Sequence, residues 1–406
     1  MALCVAPDAP SGVLRAGEGQ ADTAGRISKF HVPEIVFGAG ALSETGHAAR
    51  RVGARRVFVV TDPGIVAAGW VAELHHHLDD AGLAHVTWQE ITPNPKDHEV
   101  ARGVEAYRES GCDVIVGIGG GSAIDAAKAI AVVAENGGAI LDYEGVDKVT
   151  RAIPPLVMIP TTSGTGADVS QFCVVTDTRR RLKATLIGRA LVPNISVTDP
   201  RLLMTMPHWL SAATGIDALT HAIEAYTSRA ASSLTDPYAL SAIRLVAENL
   251  VRTVAAPRDE RARSKMANGS LHAGMAFTNT LLGATHALSH PLGGLLDLSH
   301  GVINGVILPH VIRFNSAVQT DRYVAIAHAL GVDTTGLPAR QAAYAAADRV
   351  RLLGDEVGIP GGLSDLGVRP EDIPGLAQGA LDDCCMATNP REASLDDLSG
   401  ILRAAL

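Results

Sequence analysis

Residues 113–138 read DVIVGIGGGSAIDAAKAIAVVAENGG, and their reading decides the fold class. Asp113 to Ile118 is a short continuous apolar run, the pattern of a parallel strand buried on both faces. Three glycines and Ser122 follow. A helical pattern then runs from about Ala123 to Glu135 and stops at Asn136-Gly137-Gly138, residues that accept a left-handed cap. Glycines at a strand end let a ligand approach the backbone with no Cβ in the way. The start of the next helix adds unpaired N–H groups and partial positive charge, which suits a pyrophosphate. The stretch matches neither GxGxxG nor a P-loop. On its own it supports a structural tight turn almost as well as a dinucleotide site.

The flanking sequence repeats the strand–helix unit. Arg55 to Thr61 (RRVFVVT) reads as a buried strand closed by Asp62-Pro63-Gly64, with a helix expected over Val66 to Ala81. A second strand is expected at His85 to Ile91, a helix at Asp97 to Glu109 and a strand at Pro155 to Pro160. Repetition of this unit indicates a doubly wound α/β domain. Phe172 to Thr176 and Leu182 to Ile187 read as a hairpin, and Ile195 to Thr198 as one more short strand. Beyond about Leu202 the β signal fades and helical patterns take over, at Pro207–Arg229, Pro237–Val254, Arg261–Ala276, Gln341–Glu356 and Leu395–Leu406. The expected division is therefore a flexible tail (1–26), an α/β nucleotide-binding domain (27–195) and a helical metal-binding domain (196–406).

Composition narrows the function. The 406 residues carry 43 acidic and 34 basic side chains, a net charge of −9, which argues against non-specific nucleic-acid binding and a basic membrane-binding patch. With 47% apolar and 19% charged residues the chain is not a disordered one, and no apolar run reaches the length of a membrane span. Five cysteines, Cys4, Cys112, Cys173, Cys384 and Cys385, follow no disulfide or zinc-finger spacing, and a reducing cytoplasm is the simplest compartment.

Two further features bear on chemistry. Pro160-Thr161-Thr162-Ser163-Gly164-Thr165-Gly166 follows a strand, and its hydroxyls and glycines can donate to phosphate or ribose. Asp62 could accept from an adenosine ribose hydroxyl and would repel a 2′-phosphate, favouring NAD over NADP; a plain turn Asp reads nearly as well. In the second half, Asp217 and His221 lie four apart, on one helix face, and so do His286 and His290 before Pro291 interrupts. His300 follows, with His272 and His310 to either side. One carboxylate and several imidazoles are ordinary ligands for Fe(II) or Zn(II). Each histidine alone reads better as a helix-face or core residue. As a group they favour a metal, since burying such polar pairs unpaired is costly. The triplet His75 to His77 points in different directions on a helix and reads as surface.

These motifs resemble the iron-containing, or group III, alcohol dehydrogenases, whose two-domain fold is shared by glycerol dehydrogenase and dehydroquinate synthase. The resemblance runs from about Pro33 to the C-terminus through PEIVFGAG (33–40), GGGSAIDAAK (119–128), PTTSGTGADVS (160–170), GIDALTHAIEAY (215–226) and HALSHPLGGLLDLSHGVINGVILPH (286–310). It implies Asp217, His221, His286 and His300 as metal ligands and His290 as a non-ligand histidine near the nicotinamide. It implies cofactor contacts from Asp62, Gly119, Gly120, Gly121, Ser122, Asp125, Thr161, Thr162, Thr165 and Lys183. Ala167-Asp168 stands where the family often has Ser-Glu. The implied reaction interconverts a primary alcohol and an aldehyde with NAD(H), an Fe(II) ion, or Zn(II), acting as Lewis acid on the substrate oxygen. The resemblance also implies a homodimer or larger homo-oligomer. A hydroxyacid–oxoacid transhydrogenase is the runner-up within the same fold, and a non-catalytic metal- and nucleotide-binding protein is the alternative outside enzymology.

Overall fold

The computed structural model describes residues 28–406 apart from Arg181 and Asp297; the expected tail, residues 1–26, lies outside the described residues. The α/β half contains, in chain order, β1 (Glu34–Phe37), α1 (Thr45–Arg51), β2 (Arg56–Val60), α2 (Pro63–Ala67), α3 (Trp70–Asp80), β3 (Ala84–Trp88), α4 (Asp97–Ser110), β4 (Val114–Gly119), α5 (Gly121–Asn136), β5 (Gly145–Val146), β6 (Leu156–Pro160), β7 (Phe172–Asp177), β8 (Leu182–Ile187) and β9 (Ile195–Thr198). A parallel sheet runs in the order β1-β9-β6-β4-β2-β3. All residues of β4 and β6 are buried because helices cover both faces. Ile115 joins the core under α4 and α5, while Val114, Val116 and Ile118 join the one under α1 and α3.

The strand order creates the binding crevice. From β2 the chain moves outward to β3, then returns across β2 to β4. The connections leaving β2 and β4 diverge, and ligands bind at such switch points beyond the strands' carboxyl ends. Those ends carry Asp62 and Gly119.

Three sequence expectations are corrected. Val66 to Ala81 is not one helix: Gly69, at φ +87°, separates α2 from α3, and a left-handed residue cannot continue a right-handed helix. The sheet also extends past the expected division at 195/196, since β9 pairs with both β1 and β6 through Ile195 and Ser196 and with β1 as far as Thr198. Third, Pro291 lies inside a helix, Ala284–Leu296, and does not end it. The hairpin forms as expected, with β7 and β8 antiparallel from Phe172↔Ile187 to Asp177↔Leu182, and β5 extends it.

The second half is helical: α6 (His208–Thr227), α7 (Asp236–Ala255), α8 (Glu260–Thr280), α9 (Ala284–Leu296), α10 (His300–Asn315), α11 (Thr320–Ala329), α12 (Ala339–Glu356), α13 (Ile373–Leu381) and α14 (Leu395–Ala404). α6 is its hub. It is buried continuously from Ser211 to Thr227 and packs on α7, α8 and α10. Any polar side chain on such a helix must find a partner or a ligand. Pro291 does not interrupt the chain as expected; α9 continues through it to Leu296. Proline forfeits one helical hydrogen bond there, and packing of α9 against α10 and α13 compensates. No helix among the described residues is long and apolar enough to cross a membrane.

α10 crosses α6 at Gly301. A Cβ at that position would stand 1.9 Å from the Ala213 carbonyl oxygen and 3.1 Å from Asp217 Cβ. Backbone cannot swing aside as a flexible side chain can. Gly301→Ala is therefore expected to destabilise the protein by about 3 kcal/mol, the upper range for overpacking, as measured by denaturant unfolding. An unchanged unfolding midpoint would contradict this close crossing.

Candidate active site

The glycine loop is the first component. Gly119 ends β4, and α5 begins at Gly121 with no side chain capping its first N–H groups. Those groups are available to an anion. Asp62 is held beside them. Its Oδ1 accepts from the N–H groups of Gly64 (2.8 Å) and Ile65 (3.1 Å), capping α2. Its Oδ2 lies 3.3 Å from where a Cβ on Gly119 would sit. Gly121, Ser122, Asp125, Thr165 and Lys183 line one cleft of about 190 Å³. Gly120 packs against the Thr162 side chain behind that wall. Thr161 is buried and bonds its N–H to the Gly119 carbonyl at 2.9 Å. Asp168 ties its loop to β9 by accepting from Ser196 Oγ at 2.7 Å.

The histidine cluster lies in the same cleft, lined also by Asp217, His221, His286, His290 and His300. One potential ligand atom each from Asp217, His221 and His286 falls within 4.8 Å of the others. The His300 ring stands 5.1 Å from that of His286. Asp217 and His221 sit one turn apart on α6, His286 on α9 and His300 at the start of α10. His272 bonds Ser241 and His310 lines a separate cavity, so neither belongs here.

The donor set fits a divalent transition metal. His221 Nδ1 donates to the Gly164 carbonyl at 3.2 Å, and His286 Nδ1 to Glu224 Oε2 at 2.6 Å. Carbonyl and carboxylate oxygens can only accept, so both rings carry a proton on Nδ1, which leaves Nε2 as the nitrogen to offer a metal, the arrangement typical of metal-bound histidine. Burial pushes His221 down to about 4 and His300 well below the ordinary histidine range, so both stay neutral. Burial would lower His286 as well, but the Glu224 carboxylate outweighs it and holds His286 above the usual value. His300 Nδ1 is buried with no hydrogen-bond partner among the described residues. Leaving such a group unmet costs about 1–3 kcal/mol, which marks a place prepared for a ligand.

Three supporting residues were missed in the sequence reading. Glu224 accepts from the N–H groups of Gly283 and Thr285 as well as from His286. It follows Asp217 by seven residues, a spacing that put it on the same helix stripe and could have revealed it. Asn304, four beyond His300, donates to Asp217 Oδ1 at 2.8 Å. Asp383, which bonds His290, gave no local signal.

A glycine loop at a helix start and a buried cluster of Asp217, His221 and His286, with His300 beside it, share one cleft, an arrangement that suits a metal-assisted, dinucleotide-linked enzyme. Comparison with known proteins then supplies the family. Residues 33–200 match the family described as iron-containing alcohol dehydrogenase, and residues 211–406 the C-terminal part of the Fe-containing alcohol dehydrogenase family. The chain belongs to the iron-containing alcohol dehydrogenase family. It is 40% identical to the NAD-dependent methanol dehydrogenase of Bacillus methanolicus, over 93% of this chain and 99% of that one. It is 41% identical to the 1,3-propanediol dehydrogenase of Citrobacter freundii, over 94% and 99%. A crystal structure of a 1,3-propanediol oxidoreductase superposes with a TM-score of 0.92 at 40% identity, over 94% of this chain and all of that one. The expected fold class, an α/β domain followed by a helical domain of the dehydroquinate synthase-like kind, is the one found.

Asp125 gives the cleft a pH signature. Burial raises its carboxyl to about 7, against the opposing pull of Lys128 and Lys183. An unfolded Asp ionises near about 3.9, so the folded, nucleotide-free protein loses stability as pH rises from about 4 to about 7 and recovers none above. Asp125→Asn, which cannot ionise, recovers part of that loss. It is expected to raise stability by about 2 kcal/mol near pH 8, an advantage shrinking to nothing as pH falls toward about 4. Denaturant titrations across that range check this; an effect independent of pH would contradict it.

Proposed function

We propose that the protein interconverts a small primary alcohol and its aldehyde with NAD(H), using Fe(II) held by Asp217, His221, His286 and His300. The observation that carries this reading is His286, clasped at Nδ1 by Glu224, presenting Nε2 beside Asp217 and His221 in the cleft that the glycine loop opens into. Imidazole and carboxylate donors would also accept Zn(II). The metal when bound supplies Lewis acidity toward the substrate oxygen, and the nicotinamide supplies or accepts hydride.

The chain's own residues do the rest. The N–H groups of Gly120, Gly121 and Ser122 bind the pyrophosphate, aided by the Thr162 and Thr165 loop. Asp62 accepts from the adenosine ribose and disfavours a 2′-phosphate, which supports NAD over NADP. Lys183 and Asp125 line the passage between loop and histidines. Phe172, Phe277 and Leu282 give the cleft apolar walls that exclude water and suit a short carbon chain. His290, at the same wall, handles the substrate proton. A homo-oligomer in a reducing cytoplasm completes the proposal; the free thiols of Cys112, Cys173, Cys384 and Cys385 are consistent with that compartment.

The test follows NADH absorbance with protein loaded anaerobically with Fe(II) and a panel of short aldehydes, beside His286→Ala. The wild type should consume NADH only with an aldehyde. The variant should be slower by at least ~100-fold, as loss of several kcal/mol of electrophilic stabilisation requires. Equal rates would contradict the metal assignment. Turnover only when a hydroxyacid and an oxoacid are supplied together would replace the proposal with a transhydrogenase.

A further inference from the structure

α9 carries two histidines, and each is clasped at Nδ1 by a carboxylate from another part of the chain. His286 meets Glu224 Oε2 at 2.6 Å; His290 meets Asp383 Oδ2 at 2.7 Å. The first couple prepares a metal ligand. The second lies beyond the proposed ligand set, yet it is built with the same care. Asp383 Oδ1 accepts the Cys385 N–H at 2.8 Å, fixing the carboxylate from its far side. The Cys385 thiol, kept protonated by its hydrogen bond with Cys384 and its burial, also hydrogen-bonds Asp383. Because a carboxylate only accepts, the His290 ring proton sits on Nδ1. In the neutral ring the lone pair is then on Nε2, which has no hydrogen-bond partner among the described residues. The ring lines the cleft and stacks on His300, with centroids 5.3 Å apart.

We infer that Asp383 is a positioning residue, holding His290 in the one tautomer and orientation whose Nε2 can accept the alcohol proton. This rests on the proposed function, since it requires His290 to handle that proton. In the oxidation direction the alcohol O–H bond breaks and its proton moves to Nε2. The C–H hydride, with its two electrons, reduces NAD⁺ to NADH, and the aldehyde remains. Asp383 stabilises the resulting imidazolium without taking its proton. In the reverse direction Nε2 returns the proton to the oxygen.

The test is a double-mutant cycle in the Fe(II)-loaded enzyme with Asp383→Asn, His290→Gln and the pair. Asp383→Asn is expected to lower kcat by about 10- to 100-fold, in the range of acid–base contributions, with KM for NADH unchanged. In the His290→Gln background the same substitution should cost nothing further. Histidine nitrogen chemical shifts of the metal-free protein give a readout independent of activity. They should report His290 protonated at Nδ1 in the wild type and in Asp383→Glu, and a tautomer mixture in Asp383→Asn. Equal losses in both backgrounds, or an unchanged tautomer in Asp383→Asn, would overturn the inference and leave Asp383 a loop-fixing residue. A wild type that oxidises no alcohol would overturn the proposed function instead, while the nitrogen shifts still decide the tautomer.

Discussion

The hydrogen bond between Glu224 and His286 is the constraint on which the site depends. Both side chains are almost completely buried, Glu224 on α6 and His286 on α9. A carboxylate in such a place is tolerable only when its lone pairs are met. Here the N–H groups of Gly283 and Thr285 and the imidazole of His286 meet them. Despite burial, His286 and Thr285 hold Glu224 below the ordinary carboxylate range. The same bonds pin the start of α9 to α6. One buried acid thus fixes a helix junction, a tautomer and the direction of a lone pair.

The two halves of the chain meet through chemistry as well as packing. The Gly164 carbonyl, in the threonine-rich loop after β6, orients His221. Lys183 reaches from β8 toward α9, within 3.8 Å of where a Cβ on Gly293 would sit. A nucleotide lying along the glycine loop would therefore end beside the histidines, which is the juxtaposition hydride transfer needs. Within the helical half, Asn304 ties Asp217 on α6 to α10, at the crossing that Gly301 permits.

Much of this was legible in the residues. Buried parallel strands such as β4 announce themselves as unbroken apolar runs, and Gly119 to Ser122 followed one directly. Asp217 and His221 were visible because a carboxylate and an imidazole one turn apart are anomalous on an otherwise apolar helix. Other features depend on tertiary context. Thr161 shares a motif with Thr165, yet the turn of the loop buries one and faces the other to the cleft. Pro291 reads locally as a helix end, and it is packing against α10 and α13 that lets α9 continue. Asp383 lies 93 residues from His290, and no periodicity spans that distance.

The most direct test is anomalous diffraction at the iron edge from crystals of protein loaded with Fe(II). The account predicts one dominant peak bonded to Asp217, His221, His286 and His300, with Glu224 still on the far side of the His286 ring. A dominant peak centred on His290 and Asp383, or iron bound in stoichiometric amount away from α6, would contradict it.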